Sequence, residues 1–381
     1  MFIGICGSIC AGKATIARYL VEHHGFTWLY LDSQAPDAPI PPAAGGSAPL
    51  SKASSNAPSS APSSSGRPHL FSTADDLLEF VTKHWRERWI TTDIPSEAVL
   101  DMYARRPFFL HVSVDAPVTV RWRRFQARQQ QEILARSPSL TPPTDTPLPT
   151  PDSTTDSPQP ALHTLETFVH LSDTHLFHPL TGINPLLSRA TVRLLNTSSS
   201  LAHLYATLGK LDLLNPDRLR PSWDSYFMAL ASLAAQRSNC MKRRVGCVVV
   251  RDKRVISTGY NGTPRGLRNC GEGGCGRCNE GGGASGGALA TCLCIHAEEN
   301  ALLEAGRERL REGAVLYCDT CPCLTCSIKI VQVGVKEVVY SQGYSMDGET
   351  AAVFREAGVR LRQFVPPANG LIHLEKHEIY T

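Results

Sequence analysis

The sequence predicts an α/β protein built from two units, and three observations support this prediction. The chain has 381 residues, which suits two domains of about 150 residues each with some linker left over. Strand-like apolar runs and amphipathic helical segments alternate in both halves, as they do in α/β folds. Eleven of the 13 cysteines fall between Cys240 and Cys326, so the second half carries a chemistry of its own.

The first unit is predicted over residues 1–214. Its strands are expected at Phe2–Cys6 and Pro107–Val114, and its helices at Lys13–His23, Thr73–Trp89, Val118–Arg128 and most of Leu186–Leu214. Two segments interrupt it: 28 of 34 residues in 35–68 are Pro, Ser, Ala or Gly, and 18 of 24 in 137–160 are Pro, Ser or Thr. Such segments bury too little apolar surface to offset chain entropy, so we expect disordered insertions.

The second unit is predicted over residues 220–365, followed by a C-terminal tail at 366–381. It begins with an amphipathic helix from Trp223 to Ala234 and is interrupted by a glycine-rich stretch, 281–287. The later elements are strands at Val245–Val250, Val255–Tyr260, Ala314–Cys318, Lys336–Ser341 and Val359–Phe364, and helices from Ala297, from Leu324 and at Thr350–Ala357. Two strands followed by repeated helix–strand units predict one mixed sheet covered by helices on both faces.

Composition and charge exclude several classes of protein. The net charge is only +3, with 19% charged residues, so the balance does not predict a nucleic-acid polymer as partner. No apolar run approaches about 20 residues, and the first residues lack the basic start of a secretion signal, so no membrane is expected. Clustered cysteines then favour metal binding in a reducing compartment. The expected location is the cytoplasm, with the nucleus as a further location.

Two short motifs carry the most specific chemistry, and each is predicted at the start of a helix. They are His296-Ala297-Glu298 and Pro322-Cys323-Leu324-Thr325-Cys326. Amide groups and the helix dipole at a helix N-terminus favour thiolate over thiol. One imidazole and two thiolates leave the fourth zinc position open for water, which is the catalytic arrangement. His296, Cys323 and Cys326 are therefore predicted to bind a catalytic Zn²⁺, and Glu298 to transfer the protons.

A structural zinc ribbon is the alternative use of these cysteines. Its four ligands would be Cys318, Cys321, Cys323 and Cys326. That arrangement leaves the motif at His296 without a role, and the catalytic site is favoured for this reason.

Together with Gly259-Tyr260-Asn261-Gly262-Thr263-Pro264-Arg265-Gly266, the two motifs resemble deoxycytidylate (dCMP) deaminases of the zinc-dependent cytidine deaminase superfamily. The resemblance covers about residues 220–365. It implies a three-layer α/β/α cytidine-deaminase-like fold with a five-stranded sheet. It also implies hydrolysis of dCMP to dUMP and ammonia, which supplies dUMP for thymidylate synthesis. In that reaction Glu298 would protonate N3 of the base and then the leaving amine.

The resemblance extends to regulation and assembly. Family members are similar in forming hexamers that dCTP activates and dTTP inhibits, with Mg²⁺ carried on the triphosphate, so a homo-oligomer with these effectors is expected. The predicted effector residues are Gly259, Tyr260, Asn261, Gly262 and Arg307. An ordinary Asn-Gly turn is the alternative for the glycine-containing run.

Four residues are predicted to bind the substrate. The backbone of Ala297, with that of Cys323, would hold the pyrimidine edge, and Asn261 would also contact the substrate. Lys242, in a run of three basic residues, would bind the phosphate, unless that run is a solvated loop end. Tyr344 would stack on the base or border the sugar, unless it is an ordinary surface aromatic.

Six further cysteines are potential metal ligands, and some dCMP deaminases are similar to this chain in carrying a second, structural zinc. In those proteins one ligand lies two residues before the catalytic histidine, which here is Cys294. The predicted ligands are Cys240, Cys270, Cys294 and one of Cys275 and Cys278, as a closed four-ligand site. Cys292 is the sixth cysteine of this group.

The first unit contains a phosphate-loop pattern, Gly7-Ser8-Ile9-Cys10-Ala11-Gly12-Lys13, between a predicted strand and helix. Gly7, Gly12 and Lys13 are its predicted functional residues, but the usual Mg²⁺-binding hydroxyl is replaced by Ala14. The unit resembles nucleoside monophosphate and dephospho-coenzyme A kinases, and fungal dCMP deaminases look similar in carrying such an extension. An active kinase, nucleotide binding without turnover and a structural relic are all compatible with this pattern.

Three other functions are compatible with parts of the sequence. A deaminase of tRNA or DNA would share the zinc motifs, but it predicts a basic, aromatic-bearing surface that the composition does not suggest. A bifunctional nucleotide kinase–deaminase depends on Lys13. A non-enzymatic zinc module would use the cysteines without Glu298.

Overall fold

The structure is a computed structural model that describes residues 1–32, 69–136, 163–198, 200–280, 291–310, 312–343 and 347–374. The predicted insertions at 35–68 and 137–160, and the glycine-rich stretch 281–287, lie outside the described residues. The chain forms two compact units: Met1–Leu213 together with the residues from Ala368 onward, and Leu214–Pro367. Within the described part of the chain, no helix is both long and apolar enough to cross a membrane.

The first unit alternates strands and helices along the chain. Its elements up to residue 213 are β1 (Phe2–Gly7), α1 (Lys13–His24), β2 (Thr27–Leu31), β3 (His69–Phe71), α2 (Ala74–Lys83), β4 (Trp89–Thr91), α3 (Glu97–Ala104), β5 (Phe109–Asp115), α4 (Val118–Arg136), α5 (Leu165–Phe177), α6 (Asn184–Ser188), β6 (Val192–Leu195) and α7 (Leu201–Leu211).

The second unit carries the cysteine-rich motifs. Its elements are α8 (Trp223–Ala235), β7 (Gly246–Arg251), β8 (Arg254–Tyr260), α9 (Gly276–Asn279), α10 (Ala297–Leu310), β9 (Val315–Thr320), α11 (Leu324–Gln332), β10 (Glu337–Gln342), α12 (Asp347–Glu356) and β11 (Arg360–Gln363). A last strand, β12 (Gly370–His373), follows this unit along the chain.

The sheet of the first unit has seven strands in the order β12-β6-β5-β1-β4-β2-β3, and every adjacent pair is parallel. Strand β1 is buried along its whole length, so both faces of the sheet are covered there. The loops that follow β1 and β5 meet at one edge, where the Ser8 hydroxyl donates to the Asp115 carboxylate at 2.5 Å. A phosphate loop is expected at this position, which follows a strand in the middle of the sheet.

The sequence predicts a tail at 366–381, and the structure corrects this prediction. Residues 370–373 form β12, which pairs in parallel with β6 and adds the outermost strand of the first sheet. Leu374, just after it, is buried. A four-residue strand with two apolar side chains, Leu371 and Ile372, is too short to give a periodic signal, so the sequence pattern missed it.

Other short strands were missed in the same way. The predicted helix at Thr73–Trp89 ends at Lys83, and Trp89 begins the three-residue strand β4. The stretch Leu186–Leu214, predicted as largely helical, contains β6, whose alternating burial is strand-like. Helix α3 was also not predicted. It begins after Ser96, whose side chain accepts the amide of Val99 as an N-cap.

The sheet of the second unit confirms the predicted mixed five-stranded arrangement. Its order is β11-β10-β9-β7-β8, with β7 antiparallel to β8 and β9 and the other pairs parallel. Alternate residues of β7 face opposite layers, as the period of a strand requires. Val248 and Val250 pack in the cluster that includes α8, while Cys247 and Val249 pack in the cluster that includes α10 and α11. Helices therefore cover both faces, and two of them begin at the predicted zinc motifs.

Candidate active site

Helix α10 starts at Ala297, so His296 lies directly before it and Glu298 in its first turn, as predicted. Two backbone hydrogen bonds between Gly262 and Ile295 hold the chain one residue before His296, at 3.2 and 2.9 Å. From the other side, the Asn300 side-chain amide donates to the carbonyl of Tyr260 at 2.8 Å. The run after β8 and the start of α10 thus fix each other, which positions His296.

Helix α11 brings the two cysteines to the same place. Cys323 is the N-cap residue of α11, and Cys326 lies in its first turn. Both side chains are buried. The preceding loop is held by the Thr350 hydroxyl, which donates to the carbonyl of Pro322 at 3.0 Å. The CxxC motif therefore sits at a helix N-terminus, where the amide groups favour thiolates.

The three predicted ligands converge. The Sγ atoms of Cys323 and Cys326 each lie 3.3 Å from Nδ1 of His296, and all three ligand atoms lie within 4.8 Å of one another. A tetrahedral zinc with ordinary bond lengths separates a sulfur from a nitrogen ligand by about 3.6 Å. The donor set of one imidazole and two thiols also matches zinc. The residues present therefore fit Zn²⁺.

Proton sharing among the ligands supports this interpretation. Hydrogen bonds from Cys326 and then from His296 lower the pKa of Cys323 to about 3, so this side chain is a thiolate at neutral pH. The hydrogen bond to Cys323 in turn raises the pKa of His296, and the hydrogen bond with Cys323 also raises the pKa of Cys326. Cys323 is therefore already in the thiolate state that a metal ion requires, while His296 and Cys326 would release their protons when the ion binds.

Glu298 is the buried acid of the site. Its side chain is only 4% exposed, and burial raises its pKa to about 7. The carboxyl group thus titrates near neutral pH instead of near 4.5. A group that both accepts and donates protons at neutral pH has the property that a general acid/base needs.

The close contact between β8 and α10 requires a glycine. A Cβ atom at Gly259 would lie 2.2 Å from the carbonyl oxygen of Ala297 and 2.4 Å from the amide nitrogen of Ala301. Both are backbone atoms of the helix that carries the site, so they cannot rotate away. Gly259, predicted to bind an effector, thus has a packing function that accounts for its small size.

We expect Gly259→Ala to lower the stability of the second unit by roughly 1–3 kcal/mol, because the methyl group must push α10 away from the sheet. Any catalytic activity of the site should fall with it, since α10 positions His296 and Glu298. Thermal unfolding and steady-state kinetics measure the two effects. Gly348→Ala is the matched control: it lies in α12 with open space around it and should be neutral. An unchanged unfolding midpoint for Gly259→Ala would contradict the packing argument.

Asn261 holds the basic loop that precedes β7. Its Oδ1 accepts the amide of Val245 at 2.8 Å and the hydroxyl of Ser238 at 2.7 Å, while its Nδ2 donates to the carbonyl of Arg243 at 2.7 Å. These three hydrogen bonds use both polar atoms of the side-chain amide, so Asn261 positions the loop. Lys242, in the same loop, is exposed. Contact of either residue with a substrate stays a prediction.

The remaining predicted residues are placed differently. Arg307 is exposed and follows a break in α10 at Gly306, whose φ is 65°. Gly262 is confined, because a Cβ there would lie 2.5 Å from Oδ1 of Asn239. Tyr260 is half-buried at the end of β8. Tyr344 lies outside the described residues.

The phosphate-loop pattern has the predicted strand–loop–helix setting, between β1 and α1. A Cβ at Gly7 would lie 2.2 Å from the carbonyl oxygen of Val114, so close packing of β5 requires this glycine. Gly12 has a φ of 109°, which favours glycine as well. Burial lowers the pKa of Lys13. Nucleotide binding by this loop remains a prediction.

The six further cysteines also come together. Two sets of four, Cys240, Cys270, Cys278 and Cys294, and Cys275, Cys278, Cys292 and Cys294, each have all sulfur atoms within 4.8 Å. In the described residues, Cys318 and Cys321 join none of the ligand clusters, so a zinc ribbon built on them is not formed. The sequence prediction left Cys292 out of the ligands, although its Cys-x-Cys spacing with Cys294 was a usable signal.

Sequence reasoning also missed some residues that shape the site. Asp319, at the end of β9, accepts the amide of Gly246 at 3.2 Å, and burial raises its pKa. Thr325 lies with its hydroxyl oxygen 3.1 Å from the sulfur of Cys323. Isolated polar residues of this kind carry no motif, so only the structure reveals them.

Comparison with known proteins matches these features. Residues 221–342 fit the model of the cytidine and deoxycytidylate deaminase zinc-binding region. Along 97% of its length the chain is 44% identical to a deoxycytidylate deaminase of Schizosaccharomyces pombe, 99% of which is covered. It is 45% identical to a deoxycytidylate deaminase of Saccharomyces cerevisiae over 76% of this chain and 85% of that relative.

Among solved structures, the chain is similar to the dCMP deaminase of cyanophage S-TIM5 in complex with dCMP and dUMP. The identity is 30%, with 38% of this chain and 98% of that chain covered and a TM-score of 0.31.

Proposed function

Since the chain belongs to the deoxycytidylate deaminase family, we propose that it hydrolyses dCMP to dUMP and ammonia and so supplies dUMP for thymidylate synthesis. The observation that carries this proposal is the convergence of His296, Cys323 and Cys326 beside the buried carboxyl group of Glu298. Enzymatic deamination by hydrolysis follows from the family and from its zinc-binding region.

His296, Cys323 and Cys326 would hold Zn²⁺, which supplies a Lewis acid that makes water nucleophilic at neutral pH. The remaining chemistry belongs to the protein. Helix N-termini on two sides place the three ligands, and the buried surroundings exclude bulk water from the reacting groups. In this setting Glu298 is the buried carboxyl group of the His296 motif, whereas the carboxylate of the next residue, Glu299, pairs with Lys329 at 2.7 Å.

Glu298 transfers the protons that the reaction requires. Addition of water to C4 of the pyrimidine releases one proton, which Glu298 accepts and passes to N3. When the C–N bond breaks, the hydroxyl proton from C4 moves through the same carboxyl group to the leaving amine. Water and dCMP are thereby converted to dUMP and ammonia with the carboxyl group returned to its starting state. The backbone at Ala297 and Cys323 would border the pyrimidine edge.

The phosphate of the substrate requires a cation near the site. The basic loop that includes Lys242 is held by Asn261, and the neighbouring Arg243 donates to the Gln342 side chain at 3.0 Å. We assign the phosphate to this loop because it combines positive charge with a fixed backbone. Tyr344 is retained as the predicted partner of the base or sugar.

Regulation by dCTP and dTTP, with Mg²⁺ on the triphosphate, and assembly into a homo-oligomer belong to the same proposal. Their support is the family resemblance of the run from Gly259 to Gly262. Because Gly259 and Gly262 are confined by neighbouring atoms, Tyr260 and the exposed Arg307 are the better-placed effector contacts.

Ammonia release from dCMP, compared with CMP, cytidine and an RNA stem-loop, tests this function. We expect kcat/KM for dCMP to exceed that for cytidine by roughly 10–100-fold, because charge-assisted hydrogen bonds to phosphate contribute about 1.5–3 kcal/mol. Equal rates on dCMP and cytidine, or activity on the RNA alone, would contradict it. The same assay with added dCTP or dTTP tests the effectors: rates that neither nucleotide changes would remove them from the proposal.

A further inference from the structure

Six cysteines outside the catalytic site gather from four separate stretches of the second unit. Cys240 follows α8, and Cys270 begins a short 3-10 turn. Cys275 is the N-cap residue of α9, and Cys278 lies within this helix. The last two, Cys292 and Cys294, precede the catalytic motif. Four of the six, Cys270, Cys275, Cys278 and Cys294, are at most 7% exposed. All six are free of disulfide bonds.

These sulfur atoms form two groups of four that share two members. Cys278 and Cys294 belong to both groups, Cys240 and Cys270 complete one, and Cys275 and Cys292 complete the other. Two four-sulfur groups with a common edge are the arrangement of two tetrahedral ions that share two thiolates.

The distances agree with metal coordination and not with disulfide bonds. Neighbouring Sγ atoms are separated by 3.8 Å for Cys240 and Cys278, 3.9 Å for Cys275 and Cys292, 3.8 Å for Cys278 and Cys292, and 4.0 Å for Cys278 and Cys294. A tetrahedral zinc with bonds of about 2.3 Å to sulfur sets its thiolates about 3.8 Å apart. A disulfide would bring two sulfur atoms to about 2.05 Å.

We propose that these six cysteines bind two zinc ions in one binuclear cluster. Cys278 and Cys294 bridge the ions, Cys240 and Cys270 are the outer ligands of one ion, and Cys275 and Cys292 are those of the other. This site lies outside the catalytic centre. The sequence predicts a single structural zinc here, whereas the proposed cluster holds a second ion and has Cys292 as a ligand.

Nitrogen donors surround the outer sulfur atoms, as expected for thiolates that carry negative charge. Each outer cysteine accepts at least one N–H group. The donors are the amides of Lys242 and Arg243 to Cys240, the amide of Met241 to Cys270 at 3.4 Å, the amide of Leu293 to Cys275 at 3.4 Å, and the guanidinium of Arg277 to Cys292 at 3.5 Å.

The charge balance also permits two ions. Two divalent ions let all six cysteines act as thiolates at a net charge of about −2, whereas one ion with four thiolates carries the same charge only if the other two cysteines stay protonated. The Arg277 guanidinium lies beside the cluster and offsets part of that negative charge. If only one of the two groups of four held an ion, two cysteines would remain without a metal while lying next to a metal-bound thiolate.

Cys294 gives the cluster a structural effect on catalysis. It lies two residues before His296, and the intervening Ile295 is the residue that pairs with Gly262. Bridging coordination of Cys294 would therefore fix the chain that enters the catalytic motif. Substitution within the cluster is expected to reduce activity without touching a ligand of the catalytic ion.

Counting zinc in the full-length protein by elemental analysis and native mass spectrometry tests the proposal. We expect three zinc ions per chain, one catalytic and two in the cluster. The double variant Cys275→Ser/Cys292→Ser and the double variant Cys240→Ser/Cys270→Ser should each bind two. Cys247→Ser, a buried cysteine of the sheet core, is the control and should bind three. Two ions in the unsubstituted chain would overturn the proposal.

X-ray absorption at the zinc edge keeps the proposal testable if the double variants fail to fold. In the unsubstituted protein, ions that share two thiolates give scattering from a neighbouring zinc, which separate mononuclear sites lack. A spectrum with sulfur and nitrogen neighbours but no zinc neighbour would exclude the shared cluster. Neither measurement uses dCMP, so failure of the proposed reaction and failure of this cluster are distinguishable.

Discussion

Cys326→Ser is expected to remove one zinc ion per chain and to lower deaminase activity by more than about 10³-fold. The reason is geometric: Cys326 lies in the first turn of α11 with its sulfur 3.3 Å from Nδ1 of His296, and it is only 2% exposed. A serine hydroxyl remains protonated at neutral pH, so the site would keep two of its three protein ligands. Elemental analysis and ammonia release measure the two losses.

The matched control is Cys321→Ser, in the loop that leads into α11 and equally buried. Cys321 belongs to none of the ligand clusters of the described residues, so this variant should keep its zinc content and most of its activity. If Cys326→Ser retained the full zinc content, or if both variants lost activity alike, the proposed assignment of ligands would be wrong.

The positions of the proposed catalytic residues could be predicted because their signals are local. His296 and Glu298 are two residues apart, Cys323 and Cys326 are three apart, and both pairs start helices. Since helix starts depend on nearby sequence, the local pattern was sufficient to place all four groups. The mixed five-stranded sheet was predictable for a similar reason, because its three inner strands, β7, β9 and β10, each contain a short buried apolar run.

Features that depend on distant contacts were not predictable. Strand β12 pairs with β6, although almost the whole second unit separates the two strands along the sequence. Its four residues carry no pattern that predicts this partner. The contact of Gly259 with α10 requires the three-dimensional packing of a helix on a strand. Cys292 is similar: its spacing allowed a ligand role, but only the folded loop brings it within 3.8 Å of Cys278.

The fold connects the cysteine cluster with the catalytic site through very few residues. Cys294, Ile295 and His296 are consecutive, and each is fixed by a different partner: the cluster, Gly262 and the two cysteines of α11. Because neighbouring residues in an extended chain cannot move independently, loss of any one anchor should disturb the others. The cysteine-rich loops therefore contribute to the position of the reacting groups as well as to stability.

Glu298→Gln is expected to lower kcat by about 10²–10⁴-fold while the zinc content stays unchanged. The amide has nearly the shape of the carboxyl group but cannot accept and return a proton. Stability should not fall, since Glu298 is only 4% exposed and its burial disfavours the charged form that glutamine eliminates. Kinetics, elemental analysis and thermal unfolding of the same preparation separate loss of proton transfer from loss of metal or fold.

Glu299→Gln provides the comparison for this variant. Glu299 is the next residue of α10, but its carboxylate pairs with Lys329 at 2.7 Å on a partly exposed surface, so its loss should cost less than about 1 kcal/mol and leave kcat nearly unchanged. Near-normal turnover in Glu298→Gln would show that the protons travel by another route. A parallel fall in zinc content would instead mean that Glu298 supports the ligands. The proposed proton-transfer role requires that activity be lost while metal and stability are retained, with Glu299→Gln unaffected in all three.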